Sequence, residues 1–145
     1  MTNKLAERLS TLVLKMPANT AIASGQVVIF GDGTHYMAGV AAEAQTASLT
    51  TGPPYDNNSG YLTIDFNGVF NVTVVAETLG SVSAGAAINI GDAIYASGGT
   101  FDPLTGITYG VTLCADKNGA FVGLSLATLA AGTTAVIPVQ FKSAA

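Results

Sequence analysis

Few residues in this chain have the types and spacing that catalysis requires. His35 is the only histidine, so a metal site or general base built on it would form without a second imidazole. Beside Tyr36 in a β-like stretch it reads as structural, and it is the one base open to a small hydrolase working with a serine or aspartate. Gly123-Leu124-Ser125-Leu126-Ala127 resembles a nucleophile elbow but lacks glycine at the fifth position and reads as continuous strand. Gly31-Asp32-Gly33 follows an apolar run as a dinucleotide fingerprint does, yet Tyr36 stands where the third glycine belongs and no parallel βαβ series follows. Asp32, Asp56, Asp65, Asp92, Asp102 and Asp116 fall in turns and strand ends, where carboxylates bond backbone amides. No pair of them has the spacing of a calcium loop or a glycosidase dyad. The expectation is a non-enzyme with no catalytic residue, cofactor or metal.

Composition points the same way. At 145 residues the chain fits one domain with a real core. Only 10% of residues are charged, against about 25% in an average soluble protein. With 49% hydrophobic residues, such a surface leaves neutral area that neighbouring subunits would cover. Net charge is −4, and past the first fifteen residues only Lys117 and Lys142 are basic. That excludes a phosphate-neutralising stripe, so no nucleic acid partner is expected. The apolar run 120–131 is interrupted by Gly123, Ser125 and Thr128 and is too short to span a bilayer as a helix. Leu12-Val13-Leu14 is cut by Lys15 before it makes a signal-peptide core. No membrane partner is expected. Cys114, the single cysteine, sits in an apolar run and reads as a buried small hydrophobe.

The elements that position these residues are strands. Gly25-Gln26-Val27-Val28-Ile29-Phe30 followed by Gly39-Val40-Ala41 is echoed by Gly91-Asp92-Ala93-Ile94-Tyr95 followed by Gly110-Val111-Thr112. Each copy reads as a turn glycine, a short apolar strand, and a returning strand that opens on Gly-Val. Residues 26–30 and 35–41 form the first predicted hairpin. Between the two copies Leu62, Ile64 and Phe66 alternate with polar residues, Asn67-Gly68 supplies a type I′ turn signal, and Phe70, Val72 and Val74 alternate again. A two-residue loop would set the two apolar rows on opposite faces. A bulge or three-residue loop is therefore expected there. Asp102-Pro103-Leu104-Thr105-Gly106 should close a hairpin between 93–101 and 107–114. Asp116-Lys117-Asn118-Gly119 makes a further turn before 121–127, and 135–141 is the last strand. The fold class is all-β: a small barrel or sandwich with two similar hairpin units.

Two segments stand outside this pattern. Leu5, Leu9, Leu12 and Val13 fall at i, i+4, i+7 and i+8, one stripe of a helix that Pro17 stops. Residues 1–16 thus read as an N-terminal arm or short helix and 17–145 as the β body. The stripe must dock on its own body or on a neighbour. Residues 42–60 form a long loop in which Tyr55 is the one large residue, a candidate surface contact.

The order Gly-Gln-Val-Val-Ile, Met37-Ala38-Gly39-Val40-Ala41, Asn67-Gly68-Val69-Phe70-Asn71-Val72, Ile90-Gly91-Asp92-Ala93-Ile94-Tyr95, Tyr109-Gly110-Val111 and a final valine-rich strand resembles the capsid cement (decoration) proteins of tailed bacteriophages. The likeness spans roughly residues 20–141, with a longer 42–60 loop than the family's. It implies a β-barrel or β-tulip body that adds to the outer surface of an expanded phage head, often as trimers at threefold positions. There it would strengthen the shell against internal DNA pressure. The implied partners are the major capsid protein lattice and further copies of the chain. Leu5, Leu9, Leu12, Val13 and Tyr55 are the expected contact residues. A tail or fibre module that binds carbohydrate is the rival reading; it would need exposed aromatics, and the chain has no tryptophan and five tyrosines.

Overall fold

The computed structural model describes residues 11–17, 20–31, 36–45, 61–78 and 84–142. None of these is helical. The strands are β1 (Thr11–Lys15), β2 (Val27–Gly31), β3 (Tyr36–Ala41), β4 (Tyr61–Asp65), β5 (Gly68–Val75), β6 (Glu77–Thr78), β7 (Ala84–Gly85), β8 (Ala93–Ser97), β9 (Thr100–Asp102), β10 (Ile107–Tyr109), β11 (Thr112–Cys114), β12 (Ala120–Ser125) and β13 (Thr134–Phe141). They form a six-stranded sheet ordered β1-β4-β3-β2-β10-β9, a closed barrel ordered β11-β5-β13-β12-β8, and a small β6-β7 ribbon. The all-β expectation holds, as does the first hairpin: β2 and β3 pair antiparallel from Val27 opposite Val40 to Gly31 opposite Tyr36.

The run Val27-Val28-Ile29-Phe30 is buried throughout, because both faces of its sheet are covered. Val27 and Ile29, with Ala38 and Val40, join the barrel core of Val72, Val74, Ile94, Val122 and Val139. Val28 and Phe30 join a second core made by Met16, Ile22, Ala41, Leu62, Ile64 and Ile107. A strand apolar on both faces belongs between two cores, and this one fuses the sheet to the barrel.

The expected Asn67-Gly68 hairpin is not formed. β4 pairs with β1 and β3, whereas β5 pairs with β13 and β11, so the two strands lie in different sheets. Phe66 and Asn67 carry the chain from one to the other, and Gly68 takes a φ of 136° at the crossing. The one-residue phase conflict between the apolar rows is thereby explained: Leu62 and Ile64 face the second core, Val72 and Val74 the barrel core. Neither row had to share a face with the other. The register irregularity lies instead in β12, between Phe121 and Gly123.

The hairpin expected around Asp102–Gly106 is present but divided. β9 pairs with β10 in the sheet, while β8 pairs with β11 in the barrel. Gly98, Gly99 and Gly110, all at positive φ, turn the ribbon from one to the other. The Asp116–Gly119 turn then takes the chain from one edge of β8 to its other edge, since β11 and β12 both pair with β8.

The helical stripe expected at the N-terminus gives way, in its described part, to strand β1. Leu12 and Leu14 stand opposite Ile64 and Leu62, and Leu14 packs on the second core. A Leu-Val-Leu alternation flanked by β-branched Thr11 fits either period over so few residues, and pairing with β4 decides it.

The internal repeat is structural, with a corrected partner strand. Ile22 bridges Gln45, and Ile88 bridges Leu129. In the turns that follow, the Gln26 side chain accepts a bond from the Ala23 amide at 3.0 Å, and the Asp92 carboxylate accepts one from the Asn89 amide at 2.8 Å. Gly25 N donates to Ala41 O, and Gly91 N to Ser125 O, each at 2.8 Å. The counterpart of β3 is thus β12, not the strand after Gly110-Val111. Gly39 stands opposite Val28 as Gly123 stands opposite Ile94. The correspondence continues across five strands, β1-β4-β3-β2-β10 matching β5-β13-β12-β8-β11. In the barrel β11 closes onto β5 in parallel. In the sheet β10 carries β9 instead, and β1 is an edge among the described residues.

Candidate interaction surface

Ser125, Asp102 and Asp116, three of the residues considered for chemistry, bond within their own turns and bends. Ser125 is fully buried, and its hydroxyl donates to Ala127 O at 2.7 Å. Strand β12 ends at Ser125 and the chain bends at 126–127, short of the continuous strand expected; the side chain is enclosed, not presented on the exposed strand-to-helix turn that a nucleophile needs. Asp102 accepts bonds from the Leu104 amide at 3.4 Å and the Thr105 hydroxyl at 2.7 Å, and Asp116 accepts one from the Asn118 amide at 3.0 Å. Cys114 is buried. Among the described residues no group of His, Cys, Asp and Glu is placed to hold a metal. His35, Asp32 and Asp56 lie outside the described residues.

Large apolar side chains are exposed at both sheet edges, and also in turns and on the barrel, Ile90 among them. Directly opposed residues in a ladder share a face. Following the register from Val13 to Thr63 on β4, Val40 to Val27 across β3 and β2, and Ile29 to Thr108 to Phe101 across β2, β10 and β9 traces one face of the sheet. Its middle is buried on the barrel. Its two ends emerge beyond it, Val13 at 62% exposure on β1 and Phe101 at 53% on β9. Next to Phe101, Leu104 is 94% exposed at the tip of the Asp102–Gly106 turn. The bonds to the Asp102 carboxylate, with Gly106 N donating to Asp102 O at 2.9 Å, fix that turn. A leucine is held in water on a rigid support. On the barrel, Val69 and Val136 are also exposed. A groove of about 510 Å³ between sheet and barrel is lined by Ile29, Tyr36, Ser97, Val111, Asn118 and Phe121, among others.

Of the contact residues expected from sequence, Leu12 and Val13 lie together on β1, on opposite faces and both exposed. Leu5, Leu9 and Tyr55 lie outside the described residues. Phe101, Leu104 and Val136 are also exposed and were not among the residues expected. For Leu104 a signal was present: a large apolar residue inside a Pro-x-Thr-Gly turn, where packing cannot reach it.

In this all-β body the Ser125, Asp102 and Asp116 side chains bond within turns and bends, and Val13, Phe101 and Leu104 stand exposed at the sheet edges and the adjoining turn. A family model described as phage cement protein matches residues 6–140, and the chain belongs to that family. Its role is that of a capsid cement protein, a component of the virion. No curated protein and no solved structure matches the chain.

Proposed function

We propose that this chain is a decoration protein that binds the outer surface of an expanded phage head, as a homotrimer at threefold sites, and stabilises the shell against internal DNA pressure. The observation that carries the reading is the placement of Val13, Phe101 and Leu104, large apolar side chains held in solvent by ordered backbone around a charge-poor body. Many copies on a lattice turn individually weak contacts of this kind into durable attachment. The capsid and subunit contacts are assigned to Leu5 and Leu9 ahead of β1, to Leu12 and Val13 on β1, and to Tyr55 in the long loop. The segment ahead of β1 acts as an arm toward a neighbour or the shell. No catalytic step is assigned.

The test is mass measurement of the purified protein followed by mixing with expanded and unexpanded heads. Binding to expanded heads alone, with a trimer mass in solution or on the shell, supports the reading. Equal binding to both forms, or to neither, removes it. Removing residues 1–10 spares β1, and it should lower head binding while the barrel stays folded. Unchanged binding by that variant would take the contact role away from Leu5 and Leu9.

A further inference from the structure

Among the described residues, the two β units differ in how they end. In the barrel, β5 has both edges filled, by β13 and by the parallel β11. Its counterpart β1 has β4 on one edge and no strand on the other. Closure within the chain is blocked twice. The strand that would close it, β10, already has β2 and β9 on its two edges. Pro17, two residues beyond Lys15, also stands where the barrel has Val75, which pairs with Cys114; proline has no amide hydrogen to offer a ladder. Among the described residues the sheet therefore has two open edges, β1 and β9, a condition that folded proteins ordinarily cover.

Strand direction says what can cover them. Every neighbouring pair in the sheet is antiparallel. With six strands in the sheet, β1 and β9 run in opposite directions. A second copy rotated about an axis along the strands brings its β1 antiparallel to β9 of the first, and repetition of the step can close a ring with no free edge. Val13 and Phe101 lie on the same face of the sheet at its two ends, so this pairing joins them. A β1-to-β1 contact would leave Phe101 in water.

We infer that the sheet continues from one copy of this chain into the next, β9 pairing antiparallel with β1 of the following copy and Phe101 packing beside that copy's Val13. This deepens the self-association proposed above and rests on it.

The test is a Val13→Cys, Phe101→Cys double variant of the full chain, oxidised under mild conditions. Directly opposed residues of an antiparallel pair have Cα atoms about 4.5–5.5 Å apart, within disulfide range. Non-reducing electrophoresis should show most chains in covalent multimers for the double variant, and monomers for each single variant. The native Cys114 is buried and stays out of the reaction. Dimers from Val13→Cys alone would overturn the inference in favour of a β1-to-β1 contact. A double variant that stays uncrosslinked while its mass shows an oligomer would overturn edge pairing and leave self-association standing. Val13→Glu and Phe101→Glu, both at exposed positions, supply a second readout. Each should shift the oligomer to monomer, and Val13→Lys combined with Phe101→Glu should restore it. Oligomers unaffected by either glutamate would also contradict the pairing.

Discussion

Gly39 on β3 lies so close to Ile64 on β4 that an added Cβ would overlap the isoleucine Cγ2, and Asp65 O lies 3.1 Å from the same point. Gly123, its counterpart on β12, meets the Gln140 carbonyl in the same way. Neither glycine has a positive φ; both are there for space. Gly123→Ala should destabilise by about 2–3 kcal/mol and Gly39→Ala by about 1–2 kcal/mol, because a ladder carbonyl yields less than a side-chain methyl. Urea unfolding of the two variants gives the comparison. Equal stability to the parent in either would show that the units do not pack so closely.

The paired turns predict paired costs. Gly25 and Gly91 have φ of 83° and 91°, and a methyl group added at either position would meet open space. Gly25→Ala and Gly91→Ala should each cost about 1 kcal/mol, from backbone strain alone. Asp92→Ala should cost about 0.5–1.5 kcal/mol through loss of the bond from the Asn89 amide. A Gly25 cost several times that of Gly91, read from denaturant midpoints, would contradict the equivalence of the two units.

Gln45 marks a difference between them. It is buried, its side-chain amide donates to Thr20 O at 3.0 Å, and its Oε1 has no partner among the described residues. The corresponding residue of the second unit is Leu129. An orphaned buried acceptor costs about 1–3 kcal/mol, so Gln45→Leu should leave stability unchanged or raise the melting temperature by a few degrees. A fall of several degrees would mean that the bond to Thr20 outweighs the orphaned oxygen.

Leu104 separates binding from folding. Its side chain is almost wholly in solvent, so Leu104→Ala should change stability by less than about 0.5 kcal/mol. Loss of a buried apolar anchor typically costs more than about 1 kcal/mol in binding, a fall in head affinity of roughly five-fold or more. Affinity for expanded heads, measured with the parent and the variant at equal concentration, decides whether the turn is a contact.

Most of the strands were legible in the amino-acid order, while their pairing was only partly so. Alternation located β4 and β5, and turn residues located β2-β3 and β9-β10, because those signals are local. The Asn67-Gly68 pair was a strong local hairpin signal overridden by two cores that claim opposite faces. The apolar rows had registered that conflict, yet a bulge and a change of sheet produce the same slip in sequence. At the N-terminus, Leu12-Val13-Leu14 suited helix or strand until β4 supplied a ladder. The edge pair Val13 and Phe101 was invisible beforehand, since residues far apart in the chain share a face only once six strands are in register.

Reinforcement of a filled head is tested by heating DNA-filled heads with and without the protein. Heads lacking the protein should release DNA at a lower temperature than decorated heads, and adding purified protein back should restore the higher value. Release at the same temperature in all three samples would contradict the cement role.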